Sequence, residues 1–200
     1  MINLLIGDLP KSVIVKGIKY DIYTDFRDYI ELQQLLKKGT NEQIADYIIG
    51  LFIDDLPFNK AINQEEVNDL FVEALNQIVN FFRMGEGHEE KREETEGQKR
   101  KRPSFSFDDD MAYVIGAFRE AYNIDLVHID YLHWWEFNAL MDSVPETTEL
   151  KKRIHYRSID TDKIKDNNEK KRIKAIQKKI AIKGERKAVL SDEEIGSAFC

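Results

Sequence analysis

Apolar and polar residues alternate near the start of the chain: Val13 and Val15 lead into Lys16-Gly17, and Ile18, Tyr20 and Ile22 resume the alternation. A period of two on both sides of a pair ending in glycine predicts a hairpin with a two-residue loop, in which Val15 faces Ile18 and Val13 faces Tyr20. One side of such a ribbon must rest on something, because an isolated hairpin is marginal in water. The period then changes to that of a helix. Over about 24–38, Phe26, Tyr29 and Ile30 share a face, Thr24 is the expected N-cap with Asp25 in the first turn, Lys37 and Lys38 occupy the last turn, and Gly39 is the stop. Thr40 opens a second helix with capping-box spacing to Gln43, followed by Ile44, Tyr47, Ile48 and Leu51, and Asp54-Asp55-Leu56-Pro57 ends it. The third helix carries the clearest pattern: Asn63 and Glu66 at capping spacing, then Val67, Leu70, Phe71, Ala74, Leu75, Ile78 and Phe82 on one core stripe.

From 84 to 103 the apolar pattern vanishes, and six glutamates and six basic residues share the segment, ending in Lys99-Arg100-Lys101-Arg102. Such a stretch cannot bury enough surface to offset its ordering entropy and reads as a disordered linker. The tetrabasic run suits a nucleic-acid or localisation patch, or simply a solvated linker. Helical periodicity returns with Ser106 as expected cap, Asp108, Asp109 and Asp110 in the first turn, and Phe107, Met111, Val114, Ile115, Phe118 and Tyr122 behind them. Asn123 suits a left-handed link. An aromatic helix is expected over about 125–143, with Ile129, Leu132, Trp134, Trp135, Phe137, Leu140 and Met141, filling the core of the second half. Pro145 is expected to begin the next helix, where Leu150 and Ile154 face inward and Arg153 and Arg157 reach carboxylates. Last comes a lysine-rich helix whose Ile173, Ile176 and Ile180 form a narrow stripe. It is either docked or waiting for a partner.

The pattern as a whole predicts a mainly α fold: a bundle-like helical body with an N-terminal β-hairpin, a disordered charged loop and a basic C-terminal helix. Its parts are 1–83, hairpin plus three helices; 84–103, linker; 104–157, an aromatic-rich helical half packing with the first; and 158–200, a basic extension and tail.

Charge sharpens this division. The net charge is −7, but residues 1–150 hold 15 basic against 29 acidic side chains, net −14, whereas 151–187 hold 15 against 5, net +10. An acidic body with a basic extension implies internal pairing or an acidic or polyanionic partner. The one cysteine, Cys200, excludes an internal disulfide framework and a cysteine-rich zinc site. No stretch approaches the roughly 18–20 apolar residues of a membrane span, and the opening lacks the basic start and apolar run of a signal peptide, so no membrane partner is expected and the chain is expected to stay where it is made.

There is no Gly-rich phosphate loop, GxSxG, HExxH or CxxC. The three consecutive aspartates invite a metal, but side chains about 100° apart splay, and a helix N-terminus already favours acids. His128, Asp130, His133 and Glu136 are the best constellation for a His/carboxylate site; the wrong spacing of the two histidines favours a structural role, with His133 beside Trp134 or donating to a carboxylate. The expected sets of catalytic, metal and cofactor-binding residues are therefore empty, and the protein is expected not to be an enzyme. The partner-binding candidates are Lys170, Lys171, Arg172, Ile173, Ile176 and Ile180.

Several ordered pieces of sequence carry a resemblance. They are 1–5 with Asp8-Leu9-Pro10, the hairpin with Gly17 and Tyr20, Thr24-Asp25-Phe26-Arg27, Ser104-Phe105-Ser106-Phe107-Asp108, the run from Ala121 to Leu126, and Leu132-His133-Trp134-Trp135-Glu136-Phe137 with Leu140. Over about 1–180 the chain resembles the phage gp-fifteen family of bacteriophage tail-module proteins. The resemblance implies a siphophage morphogenesis protein, tail-assembly-chaperone-like, working with the tape-measure protein, the tail-tube protein or a companion assembly chaperone, in the cytoplasm of the bacterial host or associated with the virion. It carries over no catalytic residue and no cofactor. The alternatives are a nucleic-acid-binding phage protein using 151–187, although nucleic acid is not the expected partner, and a plain structural component of the virion. The oligomeric state is left open.

Overall fold

A computed structural model describes residues 8–53, 56, 63–84 and 103–183. The stretch read as a disordered linker lies outside them except for its end residues Met84 and Pro103, as does the tail beyond Lys183. The described residues form a two-stranded antiparallel hairpin and seven α-helices, in two units. Unit one comprises the described parts of Met1–Arg92 together with Tyr131–Phe137; unit two contains the described parts of Glu93–Asp130 and Asn138–Glu185.

In unit one, β1 (Ser12–Val15) pairs with β2 (Ile18–Asp21) in the expected register, Val15 opposite Ile18 and Val13 opposite Tyr20. Lys16 and Gly17 have φ of 49° and 76°, the doubly left-handed turn whose twist matches a hairpin's strands. Val13, Val15 and Tyr20 are buried, while Ile14, opposite Lys19, faces out. A short third strand-like segment, which sequence reading missed, lies beside the end of β2: Tyr23 N–H donates to the Leu51 carbonyl and Ile53 N–H to that of Asp21, on either side of an Ile22–Phe52 bridge.

Helix α1 (Phe26–Lys38) is capped by Asp25, not Thr24. The Asp25 carboxylate accepts from the Arg27 amide at 3.0 Å, while Thr24 is buried with its hydroxyl 2.7 Å from that of Tyr131. Gly39 ends the helix as expected; a Cβ there would stand 2.8 Å from the Leu35 carbonyl oxygen. Helix α2 (Asn41–Gly50) has the predicted capping box between Thr40 and Gln43. Helix α3 (Gln64–Phe82) is capped by Asn63, and Leu70, Ala74, Leu75 and Ile78 are buried as the stripe required. At its end Phe81 is the buried ring and Phe82 is half-buried.

Unit two is built on α4 (Phe107–Tyr122), α6 (Glu149–Ser158) and α7 (Asn167–Lys179), with a 3₁₀ turn at Thr161–Lys163. Asn123 closes α4 with φ of 56°, and the Ile124 amide reaches back to the Phe118 carbonyl, a left-handed helix ending. Ser106 holds the N-cap position of α4 without a side-chain bond; its amide instead donates to Asp110. Pro145 does not begin α6. It begins a turn whose carbonyl accepts from the Thr148 hydroxyl, and Thr148, 1% exposed, is the cap.

The aromatic helix is the main correction. Helix α5 covers Trp134–Asp142, nine residues later than the expected start at 125. Asp125 accepts from the Val127 amide and the His128 ring, which turns the chain locally. The backbone at 132–134 is then committed elsewhere: Phe26 N–H donates to the Leu132 carbonyl and Trp134 N–H to that of Thr24. Strand-like pairing across more than a hundred residues displaces the helical turns that the apolar period permitted. Trp134, Trp135 and Phe137 are accordingly core residues of unit one rather than of the second half. Trp134 stacks on Phe82 at 5.3 Å and Tyr29 at 5.5 Å, and Phe137 stacks on Phe26 at 4.8 Å. The two indole N–H groups donate, each at 2.9 Å, to the last carbonyls of α3, those of Phe82 and Phe81.

Candidate partner-binding surfaces

The predicted recognition element is α7, and its own unit sets which side is available. Ile173 is 3% exposed and Ile176 and Ile180 are half-buried, so the isoleucine stripe proposed for a partner is the face that docks α7 onto its own unit. Gln177 Nε2 donates to the carbonyls of Tyr156 and Ile159 at 2.9 and 2.8 Å, and half-buried Lys170 lies 3.4 Å from the Asp162 carboxylate. The opposite side carries Lys171, Arg172, Lys174, Lys178 and Lys179, all exposed, and α7 has no acid after Glu169. Of the candidate residues, the structure therefore groups Lys171 and Arg172 outside and the isoleucines inside.

The end of α7 is held by a buried charge. Arg157 meets the fully buried Asp110 through two bonds of 2.6 and 2.9 Å, and also donates to the carbonyls of Ser104 at 3.1 Å and Ile180 at 2.6 Å. Asp110 in turn accepts from the Ser106 amide at 3.1 Å. One guanidinium thus ties the starts of α4 and the ends of α6 and α7 together, the geometry in which a buried ion pair has its hydrogen bonds satisfied. The expected reach of Arg157 toward a carboxylate is met here, and that of Arg153 by Glu149 at 2.9 Å, with the guanidinium 3.8 Å over the Tyr113 ring. Asp110 was visible in the sequence only as one of three acids. Its partner lies 47 positions away.

Unit one carries a surface of opposite sign. Between α1 and α2 lies an open groove of about 740 Å³ whose apolar part is Leu35, Leu51 and the rings of Tyr23 and Tyr47; Asp28, Glu31 and Asp46 supply charge, and among the described residues no lysine or arginine lines it. Tyr47 donates its hydroxyl to the Asp28 carbonyl at 3.0 Å, and burial, with the charges of Glu31 and Asp28, holds that phenol above its ordinary range. Burial, followed by repulsion from Asp25 and Glu31, raises the Asp28 carboxyl as well, so this lining is short of positive charge. No sequence signal pointed to the groove, because its residues come from three separate segments.

The family model for the bacteriophage Gp15 protein matches residues 5–182, most of the chain. The chain belongs to the bacteriophage Gp15 family. No curated protein and no solved structure matches it.

In this Gp15-family protein Asp109, Asp110, His128 and His133, among the residues considered for metal chemistry, each have another partner. Asp109 accepts from the Lys183 amide at 3.1 Å and Asp110 is bound to Arg157. The exposed ring of His128 pairs with Asp125 at 3.0 Å; Asp125, also 2.8 Å from Arg119, is held down to about 2, first by its bond to His128 and then by that to Arg119. His133 is 1% exposed and uses both nitrogens: Nδ1 accepts from the Trp135 amide at 3.0 Å and Nε2 donates to the Pro10 carbonyl at 2.9 Å. That pattern requires a neutral ring with its proton on Nε2. Burial lowers its pKa, the bond to Pro10 and the charge of Glu136 raise it, and Lys11 lowers it. His133 thus caps α5 and pins the chain near Pro10; its acceptor is a backbone carbonyl, where sequence reading allowed a carboxylate. Among the described residues, no group of three or more His, Cys, Asp or Glu could hold a metal ion, and no helix is long and apolar enough to cross a membrane.

Proposed function

We propose that this Gp15-family protein acts by binding protein rather than by turnover, as a tail-morphogenesis factor of the chaperone type that engages the tape-measure protein, the tail-tube protein or a companion assembly chaperone. The observation that carries the reading is the outward side of α7, where five cations stand on a helix anchored from behind by Ile173 and by the Arg157–Ile180 bond. A long helical partner must be kept from aggregating before the tube forms around it, and an acidic segment of such a partner meets here a row of positive charge that needs little ordering. Family membership supports a phage setting, in the host cytoplasm during assembly or retained in the virion.

Because α7 belongs to the body of its unit, removing it would disturb packing, and surface substitution is the cleaner test. Co-expression of the full chain with its tail neighbours should give a complex that Lys171→Glu/Arg172→Glu/Lys174→Glu weakens at least about tenfold and that added salt weakens in parallel. Unchanged co-purification would remove α7 as the recognition element. Tight binding to duplex DNA at about 0.15 M salt, with indifference to tail proteins, would replace the proposal by the nucleic-acid reading.

A further inference from the structure

Two open surfaces of opposite sign stand on different units of this chain, the outward side of α7 and the groove between α1 and α2. We propose that α7 of one copy docks into the α1/α2 groove of a second copy, so that the protein associates with itself head to tail. Lys171, Lys174 and Lys178 follow one another at spacings of three and four along a single line of the helix, about 10 Å long at 1.5 Å per residue. Asp28 and Glu31 stand three apart on α1, with Asp46 across the groove on α2, so a rod of lysines meets carboxylates on both sides. Tyr23 and Tyr47, with Leu35, offer apolar surface to the lysine stems and ring faces to their ammonium groups. Asp28, pushed toward its neutral form by burial and then by Asp25 and Glu31, stands in this lining where an incoming cation relieves that repulsion.

The two patches are different surfaces, so the contact is heterologous: a bound pair still offers one free groove and one free helix between its two copies, and assembly continues unless the rotation between copies closes a ring. The helix needs no folding to bind, since Ile173 already seats it. This inference stands apart from the proposed tail partner, although both use the same side of α7 and would compete for it.

Sedimentation velocity on the full chain tests it. At about 0.05 M salt the mean mass should climb with concentration, and at about 0.5 M, where the screening length falls to a few ångström, it should return to the monomer. Asp46→Lys and the pair Lys174→Glu/Lys178→Glu, all at exposed positions, should each abolish the climb while leaving circular dichroism unchanged. Mixed in equal amounts, the two variants should form a dimer that grows no further, because one retains only its helix and the other only its groove. Asp46→Lys should still bind the tail partner, which separates failure of self-association from failure of the proposed function. A wild-type chain that stays monomeric at every concentration, whether because α7 pairs within its own chain or with nothing, overturns the proposal, as does association that neither variant alters.

Discussion

Each unit pins one stretch of chain against its body, and the two do so by different chemistry. In unit one, Tyr131–Phe137 is held by stacked rings, by two indole N–H groups on the end of α3, and by backbone pairing with residues 24–26. In unit two, α7 is held by one buried isoleucine, by Gln177, and by a guanidinium that also neutralises a buried carboxylate. Ring packing spreads its stabilisation over many weak contacts, so partial losses are graded. A buried ion pair concentrates it, and removal of one partner leaves the other charge stranded. The first arrangement should therefore soften under mutation and the second should fail at a point.

The largest effect expected is that of Trp135→Ala, about 4–5 kcal/mol in denaturant unfolding, because truncation of a buried ring is joined by loss of the bond to Phe81. Trp135→Phe, which keeps most of the ring, should cost about half as much; equal costs would mean that unit one depends on the hydrogen bond and not on packing. Next is Asp110→Ala, about 3–4 kcal/mol, since Arg157 is then buried without its counter-charge. Hydrogen exchange in α7 should accelerate while the hairpin is unaffected. Asp110→Leu/Arg157→Met should recover much of the loss; a double variant as damaged as the single one would show that the guanidinium's carbonyl contacts matter more than its charge.

The smallest effect is the pH dependence of unit one. His133 is buried with its pKa lowered, so below about 6.5 the unfolded chain takes up a proton that the folded chain resists, and stability present above that pH is lost as pH falls. The slope should reach at most about 1.4 kcal/mol per pH unit. His133→Gln should flatten the profile between about pH 7 and 5, and an unaltered slope would move the acid sensitivity to another group.

Features specified by neighbours in sequence were legible from the chain alone. The hairpin register follows from the period of two and Lys16-Gly17, the α2 capping box from Thr40 and Gln43, the stop of α4 from Asn123, and the buried stripe of α3 from its 3.6 period. Each is decided within a few residues by backbone dihedrals and local hydrogen bonds. The pieces that carry the family resemblance were legible too, because they are ordered words of sequence.

What the chain alone left undecided were choices between equally good local alternatives. Thr24 and Asp25 are both good caps, and Tyr131, by taking the Thr24 hydroxyl, leaves Asp25 to cap α1. Residues 125–133 satisfy a helical period, yet Thr24 and Phe26 claim the amide and carbonyl groups that a helix would need. The basic helix could dock or wait, and Asp110, 47 positions before Arg157, draws in the guanidinium that anchors its end. In all three cases the deciding partner is far away in sequence. Local propensities differ by only about 1 kcal/mol, whereas a buried amide, hydroxyl or carboxylate left unpaired costs more than that, so the tertiary partners decide.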